Sequence, residues 1–171
     1  MKYPALLVPT TMQPFALPAS GAIEIPKAIP AFSPWTGPPQ ADTYNGKPVL
    51  EYGGRPAFAE LAILWELNSI GWDGVWIDTY SGVYRTGYWD SPEVPELPPE
   101  PAALLLRIRQ EAASRFGAWD VFCWRGAEVL FAESKRAGRD RIRATQLRWL
   151  GAALGIGLSP SDFLVVEWSI A

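Results

Sequence analysis

Apolar residues fall into two regimes along the chain. In residues 1–55 they are scattered among ten prolines, at positions 4, 9, 14, 18, 26, 30, 34, 38, 39 and 48. Proline removes a donor and clashes with the preceding turn, so no helix survives that spacing. The segment is nonetheless apolar: Leu6, Leu7, Val8, Phe15, Ile23, Ile25, Ile29, Phe32 and Trp35 call for cover. The expectation is an extended arm that wraps over the domain or meets a partner subunit, with a homo-oligomer as one outcome.

From residue 56 regular periods take over. PAFAELAILWELNS reads as a helix opened by Pro56 and closed by Gly71. WDGVWIDTY (72–80) reads as a strand, and GVYRTGYW (82–89) as its hairpin partner. A proline-rich loop leads to a helix, AALLLRIRQEAASRF, stopped by Gly117. Two strands at 119–124 and 127–134 flank an Arg125-Gly126 turn. A third helix covers roughly 140–155, and FLVVEWSI (163–170), apolar on both faces, reads as a buried strand. The order is helix, strand, strand, strand, helix, strand, with an insertion at about 81–117. It predicts an α/β domain over 56–171, a mixed sheet flanked by helices.

Composition narrows the chemistry. The 171 residues include nine Trp and are 49% hydrophobic, enough for one domain with a real core. The net charge of −3 gives no global attraction to nucleic acid or anionic lipid, so a basic footprint must be local. The single cysteine, Cys123, rules out a disulfide framework and a cysteine-rich zinc site. There is no histidine, which removes Ser-His-Asp catalysis and His-ligated zinc. A site must then use carboxylates, Lys, Arg or amides, a donor set that suits a hard ion such as magnesium. No stretch approaches 18 apolar residues, so no membrane partner is expected and the location is read as cytoplasmic.

The candidate chemistry lies in WDVFCWRGAEVLFAESK (119–135). With a two-residue turn at Arg125-Gly126, Trp124 faces Ala127 and Asp120 lies opposite Phe131. Side chains alternate along a strand, so Asp120, Glu133 and Lys135 then share one face. On a helical wheel Glu60 falls inside the apolar arc of the 56–69 helix, between Leu64 and Leu67, where a carboxylate needs a partner or a metal. In the 140–155 helix Gln146 sits mid-face among Ile142, Trp149, Leu150, Ala153 and Leu154, with Arg143 also in the arc. A buried amide must find hydrogen bonds. Lys135, Arg136, Arg139, Arg141, Arg143 and Arg148 are six of the fifteen basic residues, with Asp140 the only acid among them. Such a strip is the footprint of a phosphodiester substrate.

The arrangement Asp120…Glu133-Ser134-Lys135 resembles the PD-(D/E)XK (restriction-endonuclease-like) nuclease superfamily. Trp119 departs from the Pro that often precedes the Asp there. Glu60, ahead of Gly71-Trp72, matches the helix glutamate often found in that superfamily. Gln146, Trp149-Leu150 and Gly155 are similar to the segment that follows the motif in its VRR-NUC branch. The resemblance covers about 56–170. It implies an αβββαβ core and a nuclease or endonuclease that uses Mg2+ (or Mn2+) and takes nucleic acid, DNA being the first expectation. It implies Asp120, Glu133 and the Ser134 carbonyl as metal ligands, Lys135 orienting the attacking water, and Glu60 at a second ion or positioning a ligand. Gln146 and Arg143 would support the site or contact phosphate, and Arg136, Arg139, Arg141 and Arg148 would contact nucleic acid. Two other readings remain at this point: an inactive module of the same fold that binds nucleic acid or a protein, and an unrelated α/β enzyme acting on a phosphorylated small molecule.

Overall fold

The computed structural model describes residues 1–18, 21–40, 46–79, 81–88, 91 and 94–171. Tyr80, at the end of the expected first strand, lies outside the described residues, as do residues 89–90 and 92–93 of the expected insertion and 19–20 and 41–45 of the expected arm.

One mixed sheet organises the molecule. Its strands are β1 (Thr11–Leu17), β2 (Gly21–Ala28), β6 (Asp73–Asp78), β7 (Val83–Arg85), β8 (Val121–Arg125), β9 (Glu128–Arg136) and β10 (Phe163–Ile170), with the short β3 (Ala31–Phe32) also paired to β10. The spatial order is β1-β2-β10-β9-β8-β6-β7. Strands β6, β8 and β9 form an antiparallel meander, while β10 returns parallel to β9. A parallel return needs a crossover, and α3 (Ala144–Gly155) provides it. Helix α1 (Ala59–Asn68) covers one face of the sheet together with Leu7, Leu50 and Trp72. Helices α2 (Pro99–Ala112) and α3 pack against each other on the opposite face. The coarse class, α/β with a mixed sheet between helices, is therefore the one the periodicity predicts.

Where an extended arm is expected over 1–55, the described residues of that segment include paired strands. Its prolines exclude α-helix, but they do not exclude edge strands. β1 and β2 pair as an antiparallel hairpin, with Met12 opposite Pro26, and β2 joins β10 in parallel through Lys27 and Ala28. The hairpin thus extends the central sheet. A separate two-stranded ribbon, β4 (Leu50–Tyr52) and β5 (Arg55–Ala57), contains Pro56, so α1 starts three residues later than Pro56 predicts. α2 likewise begins earlier than expected, at Pro99, where a proline in the first turn leaves no needed donor missing. It ends at Ala113, in the left-handed region at φ 47°, before Gly117 is reached.

The hairpin turn is also displaced from Arg125-Gly126. Arg125 pairs with Glu128 and Phe122 with Phe131, so the turn residues are Gly126 and Ala127. Gly126 takes φ 57° as the first central residue, the place where a type II′ hairpin requires glycine. The slip moves the pairing by two residues, so each side chain keeps its face. Asp120, expected opposite Phe131, is instead level with Glu133.

Below that level the same face is aromatic. Phe122 and Phe131 stack with centroids 4.4 Å apart, and Trp149 and Phe163 meet Phe131 at 4.9 and 5.6 Å. Each such pair adds about 0.5–1.5 kcal/mol beyond burial. This packed floor fixes the end of β9 that carries Glu133 and Lys135.

Candidate metal and phosphate site

Asp120 occupies a bend immediately before β8, and Glu133 lies on β9 beside it. The two residues are interlocked. The Asp120 amide donates to Glu133 Oε2 at 3.2 Å, and the Ser134 amide donates to Asp120 Oδ2 at 2.9 Å. Lys135, two residues along the same face, places Nζ 2.5 Å from Glu133 Oε1. Gln146 Nε2 donates to that same oxygen, while Gln146 Oε1 accepts the Arg143 amide at 2.9 Å. Gln146 therefore ties the first turn of α3 to Glu133, which brings the positive end of the helix dipole to the carboxylate. Glu133, Ser134, Lys135 and Gln146 are all buried and Asp120 is half-buried.

Loop packing holds that helix end in place. Gly117 adopts φ +93°, and a Cβ there would lie 2.1 Å from the Thr145 carbonyl oxygen. Only glycine lets the 114–118 loop approach α3 so closely. On the other strand edge, the Ser134 hydroxyl accepts Trp168 Nε1–H at 3.0 Å.

The cluster stands under electrostatic stress. Burial, then the nearby Glu60 carboxylate, pushes the Asp120 carboxyl up to about 6, against the opposing pull of Lys135, the Ser134 amide and Lys47. Glu133 is raised well above the usual carboxylate range by burial and by Asp120, with Lys135 opposing. Two carboxylates that both resist ionisation, with one ammonium on Glu133, form a donor set that an added cation would relieve.

The residues present fit a hard divalent ion. Asp120 Oδ1 accepts no hydrogen bond from the described residues, and carboxylate oxygens with one partner retain acceptor capacity. A residue's N–H and C=O point to the same side of a strand, so the Ser134 carbonyl shares the edge of β9 that faces Asp120. Two carboxylates and a carbonyl suit Mg2+, which keeps several of its waters. Among the described residues no group of three or more acidic, His or Cys side chains converges on one point. Glu60, on the wall of the same cleft, pairs with Lys47: its Oε1 lies 2.5 Å from Lys47 Nζ.

The cluster opens into a cleft of about 690 Å³ that also contains Glu60, Thr79, Arg139, Arg141 and Arg143 at its walls. Of the expected basic strip, exposed Arg139, Arg141 and Arg143 line this cleft. Arg136 lines a smaller neighbouring cavity of about 290 Å³, with its guanidinium 5.8 Å from the Trp168 ring centre. Arg148 is exposed on α3 and lines neither. Asp140 faces both cavities, and its Oδ2 accepts the Arg136 amide at 3.0 Å.

Lys47, Thr79, Phe116 and Gly117 are site residues that the sequence pattern did not single out. Gly117 was legible only as a helix stop, and Lys47 is one cation in a proline-rich stretch with no period to mark it. No family model, curated protein or solved structure matches this chain.

Proposed function

We propose that the protein is a Mg2+-dependent nuclease with a restriction-endonuclease-like core, hydrolysing phosphodiester bonds in nucleic acid, DNA first. One observation carries the reading: Asp120 and Glu133 interlock on adjacent strand ends with Lys135 on Glu133, at the base of an open cleft edged by arginines. The chain order of helix, antiparallel meander, crossover helix and parallel strand supports it as well. Asp120, Glu133 and the Ser134 carbonyl would hold the ion. When bound, such an ion lowers the pKa of its water and neutralises charge on the phosphate. Lys135 holds an ammonium at the reacting centre and stabilises the anionic transition state. Gln146 fixes the Glu133 rotamer. Arg139, Arg141 and Arg143, along the open cleft, hold flanking phosphates. Such an enzyme would act in the cytoplasm; no helix of the described residues is long and apolar enough to cross a membrane.

A second reading, an inert module of the same fold, is favoured by one feature: both Glu133 oxygens already accept hydrogen bonds from the chain. Incubation of labelled plasmid, single-stranded DNA, branched DNA and RNA with Mg2+, Mn2+ or EDTA separates the two. Cleavage that EDTA abolishes is the expected result. Retained binding without cleavage under every condition would leave the inert module.

A further inference from the structure

Lys47 and Glu60 form an ion pair at the mouth of the cleft. Lys47 Nζ lies 2.5 Å from Glu60 Oε1 and 5.4 Å from the centre of the Phe58 ring. The ammonium is thus held between a carboxylate and an aromatic face. Glu60 sits in the first turn of α1, and both residues line the large cleft and the smaller cavity beside it. Asp120, Glu133 and Lys135 line the same large cleft.

A second divalent ion in this cleft would draw on Glu60, a carboxylate of its wall outside the Asp120–Glu133 pair. At the Asp120–Glu133 pair Asp120 offers an ion a carboxylate that Lys135 does not pair with, whereas at Glu60 an ion would compete with the Lys47 ammonium for the same carboxylate. Glu60 pairs with Lys47 and Glu133 with Lys135, which leaves Asp120 as the carboxylate of the three with no ion-pair partner among the described residues.

We propose that Lys47 takes the place of a second metal ion: the cleft holds one divalent ion at Asp120 and Glu133, and the Lys47 ammonium, anchored on Glu60, provides the second positive charge beside the phosphate. This rests on the nuclease reading of the same cleft. Lys47 is thereby a phosphate-binding residue provided by the proline-rich segment, and Glu60 is a positioning residue for Lys47.

The test is metal stoichiometry, measured by calorimetric titration of MnCl2 into the full-length protein, with the electron paramagnetic resonance spectrum as a second readout. Wild type should take up one Mn2+ per chain with an uncoupled spectrum. Lys47→Met should take up two, with spin coupling between them. Glu60→Gln should still bind one, with affinity within about threefold of wild type. Two ions in wild type, one ion in folded Lys47→Met, or loss of the ion in Glu60→Gln would each overturn the inference and leave the nuclease reading standing. No Mn2+ bound by wild type would overturn both.

Discussion

Replacing Asp120 by Asn should make the metal-free protein more stable, against the usual direction for a buried polar substitution. The introduced carboxamide keeps an acceptor for the Ser134 amide, which lies 2.9 Å from Asp120 Oδ2, and removes one of two crowded charges. The Asp120 carboxyl is pushed from 3.8 up to about 6 in the fold. An acid whose folded pKa exceeds its unfolded value binds protons more tightly when folded. Stability from this group is therefore complete below about pH 4, falls as pH rises toward 6, and stays lower above that. Full expression of a shift of two units is worth about 3 kcal/mol, and the open cleft screens part of it, leaving about 1–3 kcal/mol. For a chain of this length that is a rise in Tm of roughly 3–10 °C. Urea unfolding in EDTA at pH 8 and pH 4 measures it. The variant should be more stable than wild type at pH 8 and equal to it at pH 4. With Mg2+ at about a thousand times Kd the order should reverse, because wild type gains about 4.1 kcal/mol and the variant does not. A less stable variant at pH 8, or a difference independent of pH, would refute the account of the carboxylate pair.

Other consequences follow from the same geometry. Lys135→Met leaves Glu133 buried without its ammonium and should destabilise the metal-free protein by about 3 kcal/mol at pH 8. Part of this should return as the pH is lowered to about 4, because burial and Asp120 favour the protonated form of Glu133; unfolding curves unchanged at both pH values would contradict it. Arg141→Glu should reduce the log–log salt slope of duplex binding by about one phosphate contact, roughly 0.9, while Arg148→Glu, outside the cleft, should leave it unchanged. Equal effects of the two in a fluorescence anisotropy titration would show that the cleft does not direct binding. Gly117→Ala should destabilise by about 3 kcal/mol or more, since its Cβ meets the Thr145 carbonyl and its φ is left-handed. A Tm within a degree of wild type would disprove that close approach.

Much of the core was legible because short continuous apolar runs bounded by turn residues are hard to mistake. The runs in EVLFAESK and FLVVEWSI marked β9 and β10, and the facing of Glu133 with Lys135 follows from strand geometry alone. The turn position was recoverable too. A two-residue hairpin in Arg-Gly-Ala-Glu needs a left-handed first residue, and only Gly126 supplies one without strain. The slip was harmless because it moved the pairing by two residues and kept every face. Edge strands were harder. GAIEIPKA alternates, with Ile25 buried and Glu24 exposed, yet its proline and those around it pointed to an arm. Nothing local tells that β2 pairs with β10, more than a hundred residues away. Lys47 was invisible for a related reason: its role comes from where the chain returns across α1, which no local period encodes.

The central claim is that Asp120 and Glu133 seat the ion that drives phosphodiester cleavage. Its most direct test is single-turnover cleavage of labelled DNA with Mg2+, comparing wild type with Glu133→Gln, an isosteric change that removes the charge and exchanges one acceptor oxygen for a donor. Wild type should cleave, EDTA should stop it, and the folded variant should be slower by about a thousandfold or more, roughly 4 kcal/mol of transition-state stabilisation. Equal rates in the folded variant and wild type, or no cleavage of any substrate by wild type, would contradict the account.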